Sequence, residues 1–77
     1  MADYELNARK LLCPMPVIRT QDRIKSLQHG DVLTVTCTDR GVLHDIPAWC
    51  RVHGHEFLDS RTEGREIIVR VKVIKLG

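Results

Sequence analysis

An α/β (α+β) two-layer sandwich, ordered β-α-β-α-β-β, is the fold class this sequence predicts, on three observations. Residues 3–8, 32–37 and 67–74 carry apolar side chains with period two, set against a polar or mixed second face. Residues 17–27 and 42–53 instead carry apolar side chains at helical spacing. Glycines at 30, 54 and 64 stand where one period gives way to the next. Strands with one apolar and one mixed face place both helices on one side of a mixed four-stranded sheet. The two β-α-β units are expected to be right-handed and parallel, and the last hairpin antiparallel.

The first strand pairs Tyr4, Leu6 and Ala8 on one face with Asp3, Glu5 and Asn7 on the other. After Cys13-Pro14-Met15-Pro16 the stripe Val17, Thr20, Ile24 and Leu27 reads as a helix, with Arg19, Asp22, Arg23 and Lys25 outside it. His29-Gly30 is expected to end that helix in a left-handed turn. In the second strand Leu33, Val35 and Cys37 face inward and Thr34 and Thr36 outward. Asp39 is placed to cap a second helix with the stripe Val42/Leu43, Ile46, Trp49/Cys50 and His53. Pro47 interrupts its hydrogen bonding and is expected to kink it, the alternative being a late start near Asp45. His55 to Asp59 reads as a short strand and Glu63-Gly64 as a turn. In the final strand Ile67, Val69, Val71 and Val73 alternate with Ile68, Arg70, Lys72 and Ile74, the latter face open to solvent or a partner.

At 77 residues, residues 1–77 form one domain with one thin core, too small to seal a large cofactor cleft. Any chemistry therefore belongs near the surface. A net charge of +2 gives no footprint of nucleic-acid or membrane binding. The uncharged run from Leu11 to Ile18 is short and broken by prolines, which excludes a membrane span. Asp3 and Glu5 occupy the positions where a secretory leader is positive, so the expected compartment is the cytoplasm. Three cysteines without paired spacing fit free thiols in a reducing environment.

Cys13 is the candidate reactive residue. Pro14 suits the first helical position and favours extended geometry for the residue before it, so Cys13 reads as an N-cap. A sulfur there faces free amide groups and the positive end of the helix dipole, which favours its anion. Helix N-terminal cysteines fall from a pKa of about 8.5 to roughly 3.5–7.5, and Arg9 and Lys10 add positive charge. Position 16 holds proline rather than the second cysteine of a thioredoxin-type motif, so no local resolving thiol exists. Sulfur attached to Cys13 must leave to another molecule, as on a carrier. The competing structural reading is a small buried thiol.

The segment Leu12-Cys13-Pro14-Met15-Pro16, preceded by Leu6-Asn7-Ala8, resembles the TusA/SirA/YeeD-type small sulfur carriers, whose hallmark is Cys-Pro-x-Pro at the start of the first helix. Asp45-Ile46-Pro47-Ala48-Trp49-Cys50 resembles their second block, and the Trp49-Cys50 pair is similar to members from sulfur-oxidising bacteria. The resemblance spans nearly the whole chain. It implies the same sandwich and a persulfide carried on Cys13, with Pro14, Met15 and Pro16 supporting it and no separate cofactor. It further implies loading by a cysteine desulfurase or rhodanese and unloading to a partner of the TusBCD or DsrEFH type. The implied roles are tRNA 2-thiolation, molybdenum-cofactor assembly or sulfur oxidation, with the chain acting as a sulfurtransferase that carries rather than turns over. Met15 stands where many members are acidic, and Thr38-Asp39-Arg40-Gly41 replaces a commoner Asp-Asp-Pro-Ala. These departures bear on partner identity.

Cys37 and Cys50 read as packed core thiols, with a second sulfur site at Cys50 as the alternative. Cys50, His53, His55 and His44 have no spacing that forces convergence on a metal. Asp45 and Pro47 read as structural residues of the second helix. Arg19, Arg23 and Lys25 form a solvated face or, near a sulfur-bearing cysteine, contacts that steer an acidic partner. Trp49 reads as buried, which leaves no aromatic platform for direct nucleic-acid binding. A monomer is expected. The readings that compete with the carrier are a regulatory or RNA-binding module with a passive cysteine, and a thiol redox sensor.

Overall fold

The computed structural model describes residues 2–76, and statements of absence below refer to them. β2 (Val32–Cys37) pairs in parallel with β1 (Asp3–Ala8) on one side. On its other side it pairs antiparallel with β4 (Glu66–Lys72), which pairs antiparallel with β3 (Glu56–Glu63). The sheet order is β1-β2-β4-β3, so the last strand in sequence lies inside the sheet and β3 runs in the same direction as β2. The element order is the expected one.

Period-two side chains converge on one core. Leu33, Val35 and Cys37 of β2 and Ile67, Val69 and Val71 of β4 are buried on the same face, continued by Val73 beyond the strand. α1 (Met15–Ile24) buries Pro16, Thr20 and Ile24 against it, and α2 (Val42–His53) buries Val42, Ile46 and Cys50. The helices also pack on each other, giving the two layers. Thr20 is buried without penalty because its hydroxyl donates to the Pro16 carbonyl at 2.8 Å. On the opposite face Arg70 makes a two-pronged pair with Asp59, 2.8 and 2.6 Å. That face is polar, although Ile68 is largely covered.

Four local expectations are corrected. α1 stops at Ile24, five residues before His29-Gly30. Ser26 and Leu27 then follow in tight turns to the Arg23 and Ile24 carbonyls, and Leu27 is buried without being helical. Gly30, at φ 93°, serves the turn into β2, and its amide donates to Val73. Second, α2 is capped by Gly41 rather than Asp39 and continues through Pro47 to Gly54, whose φ of 77° closes it. Third, β3 runs to Glu63 rather than stopping at Asp59, with a bulge between Phe57 and Asp59. Fourth, Trp49 is half-buried. Its indole donates to Gln21 at 3.3 Å, and its ring lies 4.8 Å from that of His53 and 5.2 Å from that of His55.

Candidate functional site

β1 ends at Ala8, and a six-residue connection carries the chain over the end of the sheet to α1. Lys10 takes a left-handed conformation there, φ 65°, with its amide donating to the Thr38 hydroxyl at 2.9 Å. This ties the connection to the end of β2. Three residues later the Cys13 amide donates to Asp39 Oδ2 at 2.8 Å. Asp39 Oδ1 accepts from the Gly41 amide at 3.0 Å, so one carboxylate joins the cysteine segment to the start of α2. These two amide donors hold the Asp39 carboxyl below its ordinary range.

The sulfur is the decisive atom. The Cys13 Sγ donates to Asp45 Oδ2 at 2.6 Å, a contact between segments 32 residues apart. Cys13 is exposed, whereas Cys37 and Cys50 are buried. The N-cap position belongs to Pro14, with no side-chain cap, and the Cys13–Pro14 peptide bond is cis. Cys13 thus lies one residue outside the helix, and its sulfur meets a carboxylate in place of amide donors. The expected lowering of its pKa is overturned. The hydrogen bond to Asp45 pushes the thiol up first, then desolvation, then the negative charges of Asp45 and Asp39. In the resting geometry Cys13 is a thiol.

The supporting motif divides its labour. Pro16 is buried and anchors the start of α1 in the core, while Pro14 and Met15 remain at the surface. Leu12, at 73% exposure, joins Met15 and Ile18 of α1 and Leu43 of α2 among the large apolar side chains left uncovered. Leu12 and Met15 flank the cysteine segment in sequence, whereas Leu43, two residues from Asp45, points to a different side of α2. The sulfur is thus bordered by carboxylates and exposed apolar groups.

The basic residues do not converge on it as a set. Arg9 is committed to Glu66, to which its guanidinium donates through two nitrogens. Arg19 is exposed on α1. Arg23 is half-buried, its guanidinium 5.4 Å from the centre of the Tyr4 ring and about 12 Å along the helix axis from Met15. Lys10 alone stays beside the cysteine segment. Together with Arg40 and Arg65 it lines a half-open cleft of about 520 Å³, with Thr38, Thr62, Gly64 and Ile67 completing the walls.

Cys37 and Cys50 are sealed in the core, and burial pushes both thiols up to about 11. No trio of His, Cys, Asp or Glu is gathered for a metal among the described residues. No helix is long and apolar enough to cross a membrane.

The family model described as Sulfurtransferase TusA matches residues 4–73, including the cysteine, both carboxylates and all of the four strands but Asp3. The chain belongs to the TusA family. The sulfur carrier protein TusA of Allochromatium vinosum is 35% identical over 74 residues, covering 94% of this chain and 97% of that protein. YrkI of Bacillus subtilis is 40% identical over 63 residues, 82% of this chain and 84% of its own length. YrkF of the same organism is 44% identical over 63 residues, but the chain spans only 34% of YrkF's length. Among solved structures, a SirA-like protein from Desulfitobacterium hafniense superposes with a TM-score of 0.74 at 23% identity. It covers 94% of this chain and 99% of its own, and confirms the two helices over a four-stranded mixed sheet.

Sequence reasoning passed over Asp39 and Asp45 as site residues. The signal was present, since Asp45 opens the second family block, but it was read as shaping a helix.

Proposed function

We propose that this chain accepts sulfane sulfur as a persulfide on Cys13 and relays it to a partner protein in cytoplasmic sulfur trafficking. The reading rests on one observation, that Cys13 is the single exposed thiol of three and is fixed between two segments of the fold. Its membership of the TusA family supports the same conclusion.

In loading, the Cys13 sulfur attacks the outer sulfur of a donor persulfide. A new S–S bond forms, the donor's S–S bond breaks, and the donor leaves as its thiolate. Unloading repeats the exchange with an acceptor cysteine, and no net oxidation occurs. The core thiols are inaccessible, so the loaded sulfur has no second cysteine in this chain to pass to. The donor class is a cysteine desulfurase or rhodanese and the acceptor class a protein of the TusBCD or DsrEFH type. The destination is tRNA 2-thiouridine synthesis or dissimilatory sulfur oxidation. Exposed Leu12 and Met15 beside the cysteine suit transient docking of such proteins.

Mass spectrometry after incubation with a persulfide donor tests the reading. One added sulfur on the Cys13 peptide, lost in Cys13→Ser, is the expected result. Loading that persists in Cys13→Ser would refute it. A pairwise transfer assay with purified donors and acceptors then separates the two destinations.

A further inference from the structure

We infer that Asp45 is the proton holder of Cys13: its carboxylate keeps the resting sulfur as a thiol and receives that proton when the sulfur attacks a donor. The inference rests on the persulfide-carrier reading for its purpose, but its geometry stands apart from it. Asp45 Oδ2 lies 2.6 Å from Sγ and accepts from no other group among the described residues. Its backbone is fixed in the first turn of α2, where its amide donates to the Gly41 carbonyl at 2.9 Å. The other carboxylate at the site is already engaged, since Asp39 accepts the Gly41 and Cys13 amides. Both carboxylates border Gly41. A side chain begun at that position would stand 3.4 Å from Asp39 Oδ1 and 3.7 Å from Asp45 Oδ2, in ordinary contact with each.

The remaining charges around the sulfur do not replace this arrangement. From the β1–α1 connection come Arg9, paired with Glu66, and Lys10. From the β2–α2 connection come Asp39 and Arg40, and from α2 itself His44, next to Asp45 in sequence, while Arg65 of the β3–β4 turn lines the cleft that Lys10 and Arg40 share. None of the cations forms a hydrogen bond or ion pair with the sulfur or with Asp45 among the described residues. Among the described side chains, Asp45 is the one that accepts a hydrogen bond from Sγ.

The proton balance is simple. In the resting pair Sγ carries the proton and donates it in a hydrogen bond to Asp45 Oδ2. As Sγ attacks a sulfane sulfur, the S–H proton crosses to the carboxylate, the new S–S bond forms, and the donor thiolate departs with its electron pair. The proton then passes from the carboxyl group to the departed thiolate, which leaves the site ready for another transfer. Between transfers the sulfur remains a thiol, a poor nucleophile toward stray electrophiles and oxidants. The pairing thus separates exposure, which a carrier needs, from indiscriminate reactivity.

The test compares the full chain with Asp45→Asn and Asp45→Glu, measuring iodoacetamide alkylation of the Cys13 peptide as a function of pH. In Asp45→Asn the profile is expected to move to lower pH and the rate at pH 7 to rise at least about threefold. Asp45→Glu is expected to stay near the parent protein. An Asn profile that is unchanged or moves upward, with circular dichroism intact, overturns the inference. If Asp45→Asn does not fold, carboxyl ¹³C titration of the parent chain decides instead. The Asp45 resonance is expected to show a step at the pH where the thiol ionises, and to lose it in Cys13→Ser. Absence of that step in the parent chain overturns the inference. Neither readout uses sulfur loading, so a chain that shows the coupling but never loads refutes the carrier reading alone.

Discussion

Native-state alkylation offers a sharp test of whether one sulfur does all the chemistry. The perturbation is iodoacetamide at pH 7, applied to the parent chain and to Cys13→Ser. Cys37 and Cys50 have two routes to reaction, and both are slow. In place, a thiol pushed up to about 11 is ionised in only about one molecule in ten thousand at pH 7. Even then the sulfur is out of reach, since Cys37 and Cys50 are 0% and 1% exposed. The second route is opening. With a global stability of about 5 kcal/mol, roughly one molecule in several thousand is unfolded at a given moment. Either route leaves the core thiols about a thousandfold or more slower than in the denatured chain. Intact-mass spectrometry should show one adduct on the parent protein, none on Cys13→Ser, and three on the parent in concentrated guanidinium. A second native adduct appearing within about tenfold of the rate of the first would refute the assignment of Cys37 and Cys50 to the core.

Two further outcomes follow from packing and charge. Ile46, fully buried beneath the α2 turn that carries Asp45, should cost about 2–4 kcal/mol on Ile46→Ala, or roughly 10–25 °C in melting temperature for a domain this size. A calorimetric shift below about 3 °C would contradict that packing. Acid should act in two stages. His55 is held below its ordinary range by burial and by the positive charge of His53 and Lys75. Folding therefore opposes its protonation, and stability begins to fall below about pH 6.5. The Asp31 carboxyl, bonded by the Gln28 and Ala2 amides, and Asp59, paired with Arg70, are both held low. Their contribution is complete above the unfolded value of about 4 and disappears as pH falls through their lower folded values. Urea midpoints between pH 7 and 2.5 should show a shallow decline and then a steep one, the steep limb reduced in Asp31→Asn. A flat profile would contradict both assignments.

Much of this architecture can be read from local sequence. The alternation at Asp3–Ala8 and Val32–Cys37 coincides with β1 and β2, because each has one face on the core and one in water. The stripe from Val42 to His53 coincides with α2 for the same reason. β3 beyond Asp59 leaves no periodic signal in the sequence. As an edge strand its residues from Asp59 to Glu63 are exposed on both faces, so burial imposes no alternation there. Leu27 extended the apparent helix because it is buried from a turn at helical spacing. The site was legible only in its cysteine. The Cys13–Asp45 contact spans 32 residues, and no local period can report it. Reasoning from the neighbouring prolines alone gave the sulfur the wrong electrostatic surroundings.

The position of β4 between β2 and β3 governs how the chain can assemble during synthesis. Until Lys72 has left the ribosome, β2 lacks its antiparallel neighbour and β3 has no strand to pair with. The first sixty or so residues can form helices and a lone parallel pair, but not a closed apolar layer. The apolar layer therefore closes late, when this one strand slides between two waiting edges.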